Sequence, residues 1–156
     1  MKISDLLDTS NVLPDLSAGN KEEAINNLVS SLSARLDDDT IAAVRKAVME
    51  RESIMSTGVG KGLAIPHGKC RDLTETFAAF GKLREPVEYN AIDGEPVSIL
   101  FLLVGPESQN SVHIKMLSRI SRLLNSSAFR EKLLESNDAR TIIELFQSEE
   151  EHFVRI

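Results

Sequence analysis

The chain has a single cysteine, Cys70, so it cannot form an internal disulfide and its stability has to come from a packed core. No apolar run approaches the roughly 20 residues needed to span a bilayer. The opening Met1-Lys2-Ile3-Ser4-Asp5 brings an acid at once, where a signal peptide would carry an apolar segment. Basic excess is also missing. With 18 Lys+Arg against 24 Asp+Glu and a net charge of −6, the chain lacks the footprint that sequence-independent nucleic-acid binding requires. Internal repeats and low-complexity linkers are absent. These absences lead us to expect a soluble, cytoplasmic protein without membrane insertion. Its 156 residues, 42% of them hydrophobic, suffice for one domain over residues 1–156 and are too few for two.

Hydrophobic periodicity divides the chain. Residues 3–7 read as a short helix, and residues 12–16 as an edge strand, because Pro14 cannot donate to a ladder on both sides. Asn20 and Glu23 form a capping box for a helix bearing Ala24, Ile25, Leu28, Val29, Leu32 and Leu36. Asp37-Asp38-Asp39 has the composition of a metal cluster, but acids just before an apolar-periodic stretch cap a helix dipole. That second helix is expected over about residues 40–52, burying Ile41, Val44 and Val48, with Arg51 near its end. Residues 76–83 read as a strand, 86–89 as a short extended piece, and Asp93-Gly94 as a turn.

Residues 97–104 are nearly all apolar without alternation, which marks a central strand covered on both faces, closed by Gly105-Pro106. Helices are expected over residues 112–124 and 128–135, then a last one capped by Asp138, with Glu149-Glu150-Glu151 as a solvated tail and His152 facing solvent. The fold class is therefore α/β, a mixed β-sheet sandwiched between helices on both faces.

One stretch, residues 53–70, combines flexible backbone, hydroxyls and an imidazole. Gly58, Gly60 and Gly62 alternate, permitting a turn whose N–H groups can cradle an anion. Neither familiar nucleotide motif fits. Met55 stands where a Walker loop needs its first glycine and Gly62 where it needs a hydroxyl, while Leu63 replaces the third glycine of a dinucleotide fingerprint. Leu63-Ala64-Ile65 reads as a short buried strand that Pro66 ends, placing His67 at a strand end just outside the sheet.

A neutral imidazole is a good nucleophile near physiological pH, and its phosphoramidate is reactive enough to pass the group on. Phosphoryl transfer needs positioning and charge stabilisation, which the Gly58–Gly62 amides, the Ser56 and Thr57 hydroxyls and the Arg51 guanidinium can supply. Rival chemistries are visible too. His67 and Cys70 have the gap of a metal-ligand pair that His113 can join, but a structural zinc site wants four ligands and no second pair exists. Cys70 as a nucleophile activated by His67 is weaker still, and its bland role is a buried thiol. A loop that holds a phosphate ligand noncovalently is a third possibility. By position alone, Arg51 caps helix carbonyls, and a lone helical histidine such as His113 packs or faces solvent.

Arg51-Glu52, Ser56-Thr57-Gly58, Gly60, Gly62 and Ala64-Ile65-Pro66-His67-Gly68 resemble the active-site signature of the fructose/mannitol-type enzyme IIA of the bacterial phosphoenolpyruvate-dependent sugar phosphotransferase system. The resemblance continues through Asp93-Gly94-Glu95-Pro96-Val97, the apolar run ending at Val104, and His113 followed by Leu117-Ser118. It implies a phosphoryl carrier without cofactor or metal, in which His67 takes phosphate from the phosphocarrier protein HPr and passes it to an enzyme IIB-type acceptor in sugar uptake. It further implies that Arg51 stabilises the phosphate and that His113 hydrogen-bonds the phosphate or holds the His67 ring. As a free-standing domain, the chain resembles the nitrogen-related enzyme IIA proteins equally well. In that arrangement the phosphorylation state of His67 would control binding to a regulatory target.

Overall fold

The computed structural model describes residues 1–154; residues 155 and 156 of the expected domain lie outside the described residues. The chain folds into a six-stranded mixed sheet between two helical layers, the architecture expected from the sequence. In chain order the strands are β1 (Val12–Leu16), β2 (Gly58–Gly60), β3 (Leu63–Ala64), β4 (His67–Cys70), β5 (Phe77–Val87) and β6 (Val97–Pro106). The α-helices are α1 (Lys21–Ser30), α2 (Asp38–Ile54), α3 (Asn110–Leu124), α4 (Ser127–Glu135) and α5 (Ala139–Val154), and a 3-10 turn over Ile3–Leu6 precedes β1.

β6 is the spine. Its burial is almost unbroken, as an apolar run without alternation demands. On one side it pairs antiparallel with β5, which pairs parallel with β1 at the sheet edge. On the other it pairs parallel with β3 along its first half and with β4 along its second, while β2 folds back antiparallel on β3. One core, under α1 and α2, contains Leu28, Val44, Val48, Leu100 and Leu102. The other, under α3, α4 and α5, contains Phe80, Phe101, Ile120, Phe129 and Phe146. Both faces of the sheet are thus covered, which is why β6 has no polar side.

The helix starts follow their caps. Asn20 Oδ1 accepts from Glu23 N–H, Asp37 Oδ1 from Thr40 N–H, and Asp138 Oδ2 from Thr141 N–H.

Four expectations need correction. His67 does not lie outside the sheet. Pro66 interrupts a strand that resumes, because its carbonyl accepts from Leu103 N–H and carries the pairing on to β4. Gly105 and Pro106 extend β6 instead of closing it, opposite Lys69 and Cys70. The piece expected over 76–83 and the start of the one over 86–89 join as one long strand, β5, which ends at Val87. Finally, Glu149–Glu151 is no tail: it lies in α5, and Glu150 is buried, with its carboxylate accepting from Ile3 N–H at 2.6 Å and Ser4 N–H at 2.7 Å. A buried carboxylate needs such donors, and the first turn of the chain has amides to spare.

Candidate phosphoryl-transfer site

His67 opens β4 opposite Leu103, toward the carboxyl end of β6. Strand alternation sends His67 and Cys70 to opposite faces, and Cys70 lies in the core under α1 and α2. The His67–Cys70 pair therefore cannot grip one ion. Among the described residues, no group of three His, Cys, Asp or Glu side chains is placed to hold a metal. Gly68 is required by packing, since a Cβ there would sit 3.1 Å from Val48 N in α2.

The His67 ring is half-buried, and its Nδ1 lies 2.8 Å from Ile65 O. A carbonyl only accepts, so Nδ1 carries the proton and Nε2 keeps the lone pair. Burial pulls the His67 pKa below its ordinary value, the Ile65 carbonyl works against that, and the Arg51 charge adds to the lowering. The lowered pKa favours the neutral ring at pH 7.

His113, in the first turn of α3, is buried, with its ring centroid 5.8 Å from that of His67 and the planes inclined by 53°. Burial, then the neighbouring His67 and Lys69, push its pKa down to about 4. Its Nδ1 is buried near the Gly105 backbone without a hydrogen-bond partner. Nε2 is then the better place for the ring's proton, where it can serve as a donor toward the cavity shared with His67.

Arg51 comes from the last turn of α2 and lines the cavities on both sides of His67, the larger about 660 Å³. One of its N–H groups donates to Met55 O at 2.9 Å, which leaves the rest of the guanidinium for an anion. His67, His113 and Arg51 are thus brought together.

The hydroxyls and glycines divide differently. Ser56 lines the His67 cavity, but its Oγ donates to Tyr89 O and accepts from Gly58 N–H. Thr57 is buried, with its Oγ1 2.5 Å from Glu52 Oε2 and 3.0 Å from the Tyr89 hydroxyl. Gly58 lines the cavity, whereas Gly60 (φ 98°) and Gly62 (φ 77°) shape the tight turn from β2 to β3, away from His67. The three glycines build a hairpin in place of the expected anion cradle.

Sequence reasoning passed over what holds this loop. Glu52 is buried. It accepts from Thr57 N–H and from the Thr57 hydroxyl, and pairs with Lys21 Nζ at 2.8 Å. That ammonium lies 4.6 Å above the Tyr89 ring, whose hydroxyl burial and the Glu52 charge hold well above its ordinary pKa. A glutamate at a helix end that also carries Arg51 was the available signal. Only the fold could supply Lys21 and Tyr89, from α1 and from beyond β5.

Five exposed apolar side chains surround the site among charged and polar neighbours. Ile54 is 79% exposed, Met55 69%, Val59 51%, Ile92 85% and Ile114 58%, and all five line the cavities beside His67.

An imidazole thus stands beside a second histidine and an arginine at a strand end of a helix-covered mixed sheet. The family model "Phosphoenolpyruvate-dependent sugar phosphotransferase system, EIIA 2" matches residues 5–149, and the chain belongs to this family of phosphoryl carriers. It is 38% identical over 142 residues to the nitrogen regulatory protein of Bradyrhizobium diazoefficiens, covering 91% of this chain and 92% of that protein. It is 35% identical over 147 residues to the fructose-specific EIIABC component of the phosphotransferase system of Bacillus subtilis; that match covers 93% of this chain but only 23% of the larger protein. The crystal structure of the nitrogen regulatory protein IIA-Ntr from Neisseria meningitidis superposes with a TM-score of 0.84 at 29% identity, covering 92% of this chain and 98% of that one. No helix among the described residues is long and apolar enough to cross a membrane.

Proposed function

We propose that this protein carries a phosphoryl group on His67 Nε2, taken from a phosphohistidine of an HPr-type carrier and handed to an enzyme IIB-type acceptor. The observation that carries this reading is the 2.8 Å hydrogen bond from His67 Nδ1 to Ile65 O, which leaves Nε2 as the free nucleophile. In the transfer the P–N bond of the donor breaks as the P–Nε2 bond forms, and the donor imidazole leaves with the electron pair. The positive charge that develops on the His67 ring is stabilised through its Nδ1–H by the Ile65 carbonyl. His113 Nε2–H and the Arg51 guanidinium then hydrogen-bond the phosphoryl oxygens, matching charge that a neutral site could not hold. The exposed apolar rim of Ile54, Met55 and Ile92 suits a protein donor that must reach His67 directly. Phosphoenolpyruvate, enzyme I and HPr should give one acid-labile phosphoryl adduct by intact mass in the wild type and none in His67→Ala. An adduct that persists in His67→Ala, or none at all with active donors, overturns the assignment.

A regulatory role is favoured by the near full-length similarity to a nitrogen regulatory protein. In this reading a phosphoryl group on His67 places nearly two negative charges in the middle of the apolar rim, so phosphorylation decides which partner surface fits. Pulldown with His67→Ala against His67→Asp separates the roles. A regulatory protein captures a partner whose binding follows the charge, and a transport component captures only phosphocarrier partners.

A further inference from the structure

A third cavity, of about 450 Å³, lies beside the β2–β3 hairpin, and neither Arg51 nor His113 lines it. Lys61 from the hairpin, Arg122 from α3 and Arg130 from α4 line it, and no carboxylate does, although the chain carries a net charge of −6. None of these three cations makes an ion pair among the described residues. Arg130 spends one N–H on Leu124 O, which covers the carbonyl end of α3 and keeps the remaining donors. Asp93, the carboxylate that touches the hairpin, is taken up by the backbone N–H groups of Lys61 and Glu95.

Lys61 is also unusual in conformation. Its φ is +61°, followed by Gly62 at +77°, a pair of positive angles at a turn position where Asn or Gly is the unstrained choice. A lysine held there at a conformational cost has its ammonium 3.3 Å from Asn125 Oδ1, at the mouth of the cavity. Ser118 and Ser121 add hydroxyls to the wall, and Leu63 and Leu124 give it an apolar floor.

We infer that this cavity is a binding site for a small phosphorylated metabolite, its phosphate met by Lys61, Arg122 and Arg130 and its polar body by Ser118, Ser121 and Asn125. The site is separate from His67 but shares Val59, Ile65 and Ser121 with the wall of the phosphoryl cavity. Phosphorylated sugars and nucleotides share the chemistry it recognises.

The test is titration of the protein with glucose 6-phosphate and, separately, ATP, followed by calorimetry and by amide chemical shifts. Saturable binding of one probe is expected, moving the Lys61, Ser121 and Asn125 amides and naming the class. Affinity should be unchanged in His67→Ala and fall about tenfold or more in Arg122→Glu and in Lys61→Asn. Lys61→Asn suits the turn better than lysine does, so its stability should hold or rise while binding falls, which separates a lost ligand contact from a damaged fold. The proposal is overturned if neither probe binds below about 10 mM, or if binding disappears in His67→Ala and survives in Arg122→Glu.

Discussion

Lys82 and His113 lie toward opposite ends of β6, and both bring a polar nitrogen into a buried environment. Lys82, opposite Ile99 near the start of the strand, is saturated: its ammonium donates to Leu134 O at 3.0 Å, Ser136 O at 2.5 Å and Asn137 Oδ1 at 3.0 Å. That is all a lysine can donate, and it closes the carbonyl end of α4. His113, beside Gly105 near the end of the strand, keeps a buried nitrogen without a partner, 5.8 Å from a second ring in the same condition of depressed pKa. One end of the sheet uses a buried polar group to complete the fold. The other leaves a buried ring nitrogen unpaired, beside the groups proposed above to meet a phosphoryl group.

This contrast predicts a separation of effects. The largest is kinetic. His113→Leu keeps the volume and removes the unpaired nitrogen, so thermal stability should hold or rise, while phosphoryl transfer to His67 slows about 10²- to 10³-fold when followed by quenched-flow mass spectrometry. Equal rates would mean that His113 does not touch the phosphoryl group.

Lys82→Met should do the reverse. It leaves two carbonyls and an amide oxygen orphaned, and denaturant unfolding should show a loss of about 3 kcal/mol with transfer rates unchanged. A stable Lys82→Met protein would erase the contrast between the two ends.

The pH dependence sharpens the comparison from the histidine side. The His113 pKa falls from 6.5 in the unfolded chain to about 4 in the fold, so between these values the unfolded state binds the extra proton. Its contribution is intact above pH 6.5 and is lost progressively down to about pH 4, up to about 3 kcal/mol in all. His67, shifted the same way, adds to the slope. Chemical denaturation across this window should be steep in the wild type and flatter in His113→Leu.

A smaller effect is expected where the Glu150 carboxylate of α5 meets the first turn. Glu150→Gln weakens the bonds to Ile3 and Ser4 N–H and should cost about 1–2 kcal/mol without changing phosphoryl transfer. Hydrogen exchange at those two amides checks it.

The same division runs through what was legible in the residues. Helix starts were readable because Asn20, Asp37 and Asp138 act on amides three positions away. β6 was readable because burial on both faces leaves no alternation. His67 and Arg51 could be singled out by motif and position. Thr57 could not be assigned correctly, since its hydroxyl goes to Glu52 and to Tyr89, which lies beyond β5. Nor could Gly60 and Gly62 be read as a hairpin turn, because a glycine-rich loop permits positive φ without saying whether it meets a ligand or another strand.

The sequence by itself determined most of the elements: the capped helices, a two-sided central strand, and a histidine set off by a proline. These depend on interactions within a few residues or on the burial pattern of one segment. Only the tertiary structure decided which distant groups meet. It set His113 beside His67, drew Glu150 from an acidic run onto the first turn, joined Lys21 to Glu52, and gathered Lys61, Arg122 and Arg130 around one cavity. The physical reason is that a polar side chain takes whatever partner the packed backbone brings within about 3 Å. That proximity is a property of the packed sheet and its helices, not of spacing along the chain.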